Sequence, residues 1–93
     1  MSFDTKNLRS PENGKEVCNQ IVTCIHDMFI FTSYRSNIAF LYDGIIYRNE
    51  HYVSYLKTTE KYFGVFCDDY HHSNIKILKK RDFNIMLDSL LTK

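Results

Sequence analysis

The sequence predicts a single α+β domain, in which two amphipathic helices pack on one face of an antiparallel sheet in the chain order α-β-β-β-β-α. Three observations lead to this prediction. Apolar residues recur with helical spacing near both ends of the chain, they follow a two-residue period in the middle, and an Asp-Gly pair separates two of the middle segments. A chain of 93 residues with 44% hydrophobic and 25% charged residues has the size and composition of one globular domain.

The N-terminal part of the chain divides into a lead-in and a helix. Residues 1–12 are polar and contain the only proline, so they are expected to form a flexible lead-in before a folded domain at 13–93. Asn13 and Glu16 have the spacing of a capping box. A helix is therefore predicted from there to about residue 29, with one apolar face formed by Cys18, Ile21, Val22, Ile25, Met28 and Phe29.

The middle of the chain changes to strand periodicity. Asp43-Gly44 is typical of a type I′ hairpin turn, because both of its central residues need positive φ. Segments with strand-like patterns surround that turn and follow it. They give a sheet of four strands, or five if the last short segment also pairs: 37–42, 45–49, 52–57, 62–67 and 74–78.

The C-terminal segment regains helical spacing. Asp82 is placed as its cap, and Ile85 is the one apolar residue that points away from the predicted core face. That face consists of Phe83, Met86, Leu87, Leu90 and Leu91.

The predicted strands are apolar on both faces, whereas a sheet with one wet face normally alternates. Two short helices on one face would leave the other face uncovered. The strands also have a high content of aromatic residues, which anchor protein interfaces because they bury much area with few rotatable bonds. The predicted partner-binding residues are Tyr47, Tyr52, Tyr55, Tyr62, Phe66 and Tyr70.

Charge argues against nucleic-acid binding by the molecule as a whole, since 12 Lys and Arg residues oppose 11 Asp and Glu residues and the net charge is +1. A local basic patch is the alternative to a protein interface. It would contact phosphates through lysine and arginine side chains, beside a histidine pair in the preceding loop. Its predicted members are Lys76, Lys79, Lys80, Arg81, His71 and His72.

A third hypothesis is a small enzyme that uses Cys67 with His71 or His72, either as an activated thiol or around a metal. The preferred interpretation of this segment is a polar surface loop, because adjacent histidines point in different directions and no second ligand pair has metal-like spacing. None of the common phosphate-binding, zinc or hydrolase motifs occurs. The prediction is therefore a protein that is not an enzyme and holds no cofactor or metal.

Three unpaired cysteines, no apparent signal peptide and no apolar run near ~20 residues predict a cytoplasmic location without a membrane partner. Residues with AT-rich codons are frequent, for example seven Phe and seven Tyr, which suggests the AT-rich genome of a virus or phage. The leading hypothesis is accordingly a small protein-interaction module. It would be an accessory protein, in the host cytoplasm if viral, that binds and modulates a host protein, for example as an inhibitor, or pairs with itself as a homodimer.

Overall fold

The computed structural model describes residues 4–70 and 74–92. Their six strands form one sheet in the spatial order of the sequence, β1-β2-β3-β4-β5-β6; all neighbours are antiparallel except β5 and β6. The α+β class is confirmed, but the predicted α-β-β-β-β-α order is wrong, because both helices follow the five-strand meander. The elements are β1 (Asp4–Arg9), β2 (Glu16–Ile25), β3 (Met28–Ser33), β4 (Ser36–Tyr42), β5 (Ile45–Asn49), a 3₁₀ turn (Glu50–Tyr52), α1 (Lys57–Asp69), β6 (Ile75–Leu78) and α2 (Lys80–Leu91).

The predicted N-terminal helix is wrong, because its residues form the β2–β3 hairpin. Half of β2 is β-branched, which favours a strand over a helix. His26 and Asp27 have φ of 51° and 59°, so a tight turn interrupts the segment where the helix was expected to continue. The spacing of the apolar residues is compatible with both the helical and the strand period, and the turn at His26 and Asp27 selects the hairpin.

The segment predicted to be a flexible lead-in contains edge strand β1, which pairs with β2 from Asp4 to Arg9 and has a bulge between Asn7 and Arg9. Leu8 is only 1% exposed and belongs to the core. A single buried leucine among polar neighbours is too weak a periodic signal to identify a strand from the sequence.

The strands predicted at 52–57 and 62–67 are wrong, because the first segment is the end of a 3₁₀ turn and a loop that leads into helix α1, and the second lies in helix α1. Its buried residues are Thr59, Tyr62, Phe63 and Phe66, which have the i, i+3, i+4, i+7 spacing of one helical face. The aromatic residues suggested strands because they are common there, but their spacing is that of a helix.

The prediction agrees better with the structure in the C-terminal half of the chain. The hairpin at Asp43-Gly44 is confirmed, with φ of 52° and 79° at the two turn residues, and strand β6 and helix α2 form as expected. The predicted cap at Asp82 is wrong, because α2 begins earlier, with Lys79 at the N-cap position and no capping bond from its side chain. Ile85 is exposed, as its position on the helical wheel predicted.

The two helices lie on opposite faces of the sheet, so the prediction that both cover one face is wrong. Ile30 and Phe31 are neighbours on β3 and therefore point to opposite faces. Phe31 stacks on Phe66 of α1 with ring centroids 5.6 Å apart, whereas Ile30 packs in a second cluster with Phe83 of α2. The core thus has an α1 layer and an α2 layer, and these account for strands that are apolar on both sides.

Candidate interaction surface

Strand β6 forms one edge of the sheet and has a neighbour only on its β5 side. Its register places Ile75 beside Ile46 and Ile77 beside Arg48. A parallel neighbour needs a crossover connection, and residues 50–74, which include α1, supply it. The chain therefore reaches this edge only after it has crossed one face of the sheet.

The backbone of β6 leaves hydrogen-bonding groups free along this edge. The carbonyl of Asn74 accepts a hydrogen bond from the backbone N–H of Ile46 at 2.9 Å, so Asn74 directs its carbonyl toward β5. In a strand, alternate residues direct their N–H and C=O groups to the same neighbour. Ile75 and Ile77 consequently direct these groups away from β5, toward the open edge.

The side chains of the same two isoleucines are exposed. Ile75 is 41% and Ile77 is 52% accessible, although both are aliphatic. Their partners in the register, Ile46 and Arg48, face the α1 layer, so both isoleucines project on that side of the sheet. Leu78 points to the other side, where it packs against the α2 layer. One side of β6 is thus anchored and the other is exposed. We call the exposed part the β6 edge (Ile75, Ile77 and their outward backbone groups).

Arg48 supports the sheet next to Ile77. Its guanidinium donates to the carboxylate of Glu60 and lies 4.2 Å from the ring centroid of Phe63. Burial lowers the pKa of Arg48, although a guanidinium remains charged at neutral pH. The backbone N–H of Ser54 also donates to Glu60, at 3.3 Å. These contacts hold the guanidinium of Arg48 between β5 and α1, although its Nε is buried without a hydrogen-bond partner among the described residues.

Exposed basic side chains surround the β6 edge. The structure contains ion pairs between Arg48 and Glu60 and between Lys61 and Glu12, and no other among residues 4–70 and 74–92. The basic residues in β6 and at the start of α2 therefore form no ion pair with an acidic group in this part of the chain. They are Lys76, Lys79, Lys80 and Arg81, all exposed. His71 and His72, predicted to join this patch, lie outside the described residues.

The predicted aromatic surface is divided between the core and the exterior. Tyr62 and Phe66 are 5% and 0% exposed and fill the α1 layer. Tyr47 is half-buried and stacks on Phe40 with centroids 5.1 Å apart, in the α2 layer. Tyr70 ends α1 and is half-buried against Phe29 at 4.6 Å. These four residues have packing partners within the chain.

The structure places the remaining two predicted partner-binding residues, Tyr52 and Tyr55, in contact with each other. Tyr52 and Tyr55 make an edge-to-face contact at 5.5 Å, and Tyr55 is 60% exposed. They line a small cleft of about 30 Å³ with the exposed side chains of Tyr34 and Leu56. We call this second exposed apolar area the aromatic corner (Tyr34, Tyr52, Tyr55 and Leu56).

Of the residues in the enzyme hypothesis, Cys67 is described, whereas His71 and His72 lie outside the described residues. Burial raises the pKa of the Cys67 thiol, and the nearby carboxylate of Asp68 raises it further. A thiol that stays protonated is a weak nucleophile. Residues 4–70 and 74–92 contain no group of three His, Cys, Asp or Glu side chains able to hold a metal ion.

A larger cavity of about 350 Å³ lies at the β1 side of the sheet, between β1–β3 and the end of α1. Val22, Cys24 and Phe29 form its apolar floor, and the ammonium of Lys6 lies 5.3 Å from the ring centroid of Tyr70 at its margin. The polar side of this cavity consists of Asp4, Thr5 and Lys6 of β1. Among the described helices none is long and apolar enough to span a bilayer, since α1 has 13 residues and α2 has 12.

The sequence prediction identified β6 as a strand and its lysines as a patch, but it did not identify Ile75 and Ile77 as surface residues. The available signal was the Ile-Lys-Ile alternation directly before a basic run, which is unusual for a strand buried on both faces. Comparison with protein-family models, curated proteins and solved structures finds no match to this chain.

Proposed function

We propose that this chain is a non-enzymatic protein-interaction module that binds a partner protein through the β6 edge and modulates it as an accessory protein. One observation carries the proposal: an open sheet edge presents free backbone groups together with two exposed isoleucines. Open, apolar edges are templates for pairing with another chain, and natural proteins usually protect them. An edge left in this form is better explained by binding than by packing.

The two-sided apolar pattern of the strands no longer supports an interface, because α1 and α2 cover both faces. The support comes instead from the part of the α1 side of the sheet that α1 leaves uncovered, next to strand β6. Ile75 and Ile77 are on the α1 side and stay exposed, although α1 lies over β1 and β3 and its Glu60 and Phe63 contact Arg48 of β5. The uncovered part of this face is therefore next to the open edge.

The test uses four baits in a nuclease-treated lysate of the natural host: the wild-type chain, Ile77→Asp, Tyr55→Asp and Ile85→Asp. Ile85 is the matched control, since it is an isoleucine of similar exposure (57%) on α2, away from the edge. We expect a stoichiometric protein partner to be captured by the wild type, Tyr55→Asp and Ile85→Asp, and to be lost with Ile77→Asp.

Loss with Tyr55→Asp alone would move the interface to the aromatic corner and reject the β6 edge. Absence of any stoichiometric partner for the wild type, with a strict monomer in light scattering, would reject the interaction module. Circular dichroism and thermal melting of each bait exclude unfolding as the cause of a loss. All three substituted side chains are exposed, so the fold should tolerate each change.

Nucleic-acid binding is the second candidate, favoured by the four exposed basic side chains that have no acidic partner among the described residues. If they contact the phosphates of a single strand, the logarithm of affinity should fall against log salt with a slope of about −3. Fluorescence anisotropy with a labelled single-stranded oligonucleotide measures this slope. Binding that survives Lys79→Glu with Lys80→Glu, or that ignores salt, would reject this candidate.

A further inference from the structure

We infer that the segment recognised by the β6 edge is an extended peptide with alternating aliphatic and acidic residues, which adds to the sheet as a seventh strand. This inference rests on the proposed function and deepens it, because it specifies the chemistry of the partner. It follows from three features of the same strand: its outward backbone groups, its alternation and its charge.

The backbone requires an extended partner. Ile75 and Ile77 direct their N–H and C=O groups outward, and the next strand of a sheet pairs with such groups at a spacing of about 4.8 Å. Main-chain hydrogen bonds of this kind supply affinity in β-strand addition, whereas alternate side chains supply specificity. A helix cannot satisfy these groups, because its own backbone is already hydrogen-bonded.

The side chains require an apolar residue at every second position of that partner. Ile75 and Ile77 project on the α1 side of the sheet, two residues apart. A paired strand places its own side chains directly opposite, about 4.5–5.5 Å away between Cβ atoms. Aliphatic residues at those positions would cover both isoleucines.

The charges require acidic residues at the intervening positions and at one end. Lys76 projects on the opposite side of β6 from the isoleucines, and Lys79, Lys80 and Arg81 follow at its C-terminal end. Against these four basic residues the segment 74–82 contains one acidic residue, Asp82. Lys80 and Arg81 also lie in the first turn of α2, where the helix dipole adds positive potential.

The same charge argues against a second copy of this chain as the occupant. Any antiparallel pairing of two β6 strands brings two sets of four basic residues together, and in the register that pairs Ile75 of one copy with Ile77 of the other, Lys76 opposes Lys76. Like charges directly opposite each other destabilise a strand pair. An acidic strand from a different protein has no such conflict.

The test titrates two soluble peptides of about eight residues into the isotopically labelled protein: one alternates valine with glutamate and the other alternates valine with lysine. We expect the glutamate peptide to shift the backbone amide signals of Ile75 and Ile77 and to bind about tenfold more tightly than the lysine peptide. This preference should decrease as salt is added, because the charges are exposed.

Two variants separate strand addition from simple charge attraction. Ile77→Pro removes an outward N–H and should abolish binding without loss of a β5 hydrogen bond, since Pro is tolerated on edge strands. Lys79→Glu with Lys80→Glu keeps the strand and should reverse the preference toward the lysine peptide. If Ile77→Pro unfolds the chain, the charge reversal still tests the inference.

Equal affinity for both peptides, or shifts confined to the aromatic corner, would overturn the inference. So would a concentration-dependent dimer of the wild-type chain in light scattering that Ile77→Pro abolishes, because the occupant would then be a second copy. If neither peptide binds while Ile77→Asp still loses the partner from lysate, the inference fails and the proposed function stands.

Discussion

The two edges of the sheet are built in different ways. Strand β1 has a bulge and exposed charges of both signs, at Asp4, Lys6 and Arg9, and it buries Leu8 at 1% exposure. Strand β6 is regular, has exposed isoleucines and buries no residue completely. Bulges and mixed charges are the usual means of preventing edge pairing. The comparison shows that the β1 edge is protected against strand pairing and anchored in the core, whereas the β6 edge is available for strand pairing and only partly buried.

The largest expected effect tests the anchoring of β1. Leu8→Ala should lower the free energy of unfolding by about 2–5 kcal/mol, because it leaves a cavity in the α1 layer. Urea denaturation followed by circular dichroism measures this loss. A loss below about 1 kcal/mol would show that β1 is held no more firmly than β6 and would remove half of the comparison.

The second prediction concerns the anchor of β6. Leu78→Ala should cost only about 1–2 kcal/mol, because Leu78 is half-buried against the α2 layer. Hydrogen exchange should then increase in β6 more than in β1, which identifies the loosened edge. A cost equal to that of Leu8→Ala would mean that the edges are equally anchored.

The third prediction concerns a variant in which the β1 edge loses part of its protection against strand pairing. Lys6→Ile places an exposed aliphatic residue on β1 and removes a charge that opposes strand pairing. We expect the mass measured by light scattering to rise with protein concentration, by less than a complete shift to dimer because the bulge remains. Lys6→Gln is the control and should leave the chain unchanged, since it removes the charge without adding an aliphatic surface.

The smallest effect concerns the loop that follows β1, where Glu12 pairs with Lys61 of α1. Hydrogen bonds from Lys61, from the hydroxyl of Ser10 and from the backbone N–H of Glu12 itself lower the pKa of Glu12 from 4.5 to about 2, and the bond from Lys61 contributes most. A carboxyl whose pKa is lowered by folding stabilises the native state above its unfolded pKa, and this contribution disappears as pH falls toward the folded pKa.

Glu12→Gln should therefore lose less stability than the wild type when the pH is lowered from about 5 to about 2. Thermal melting across this range measures the difference, which should be small because both side chains are largely exposed. Parallel acid dependence in the two chains would show that the pair does not tie the β1 edge to α1.

Particular residues show how far the sequence could predict this fold. The Asp43-Gly44 turn and the apolar face of α2 were identifiable, because turn chemistry and helical spacing are local properties. The β2–β3 hairpin was not, because its apolar spacing also fits a helix and the turn at His26-Asp27 has no glycine to mark it. In α1, aromatic composition favoured strands although the spacing of Tyr62, Phe63 and Phe66 was helical.

The candidate site was less predictable than the fold. The lysines around β6 were identifiable as a patch, but the exposure of Ile75 and Ile77 depends on where α1 ends up, which is a tertiary property. Conversely, Tyr62 and Phe66 were predicted to bind a partner because they were placed on a strand. Once they lie on α1, the same side chains become core.

The sequential order of the strands has a consequence for the way the chain is made. Each of the strands β2–β5 can pair with its predecessor as soon as both have left the ribosome, through short loops and with low contact order. Strand β6 and helix α2 emerge after the five-strand meander, so β5 is until then the outer edge of the nascent sheet, and Phe40 and Tyr47 stay uncovered until α2 docks. We therefore expect the nascent chain to be most vulnerable to aggregation between the emergence of β5 and the docking of α2, at the half of the sheet that later carries the open edge.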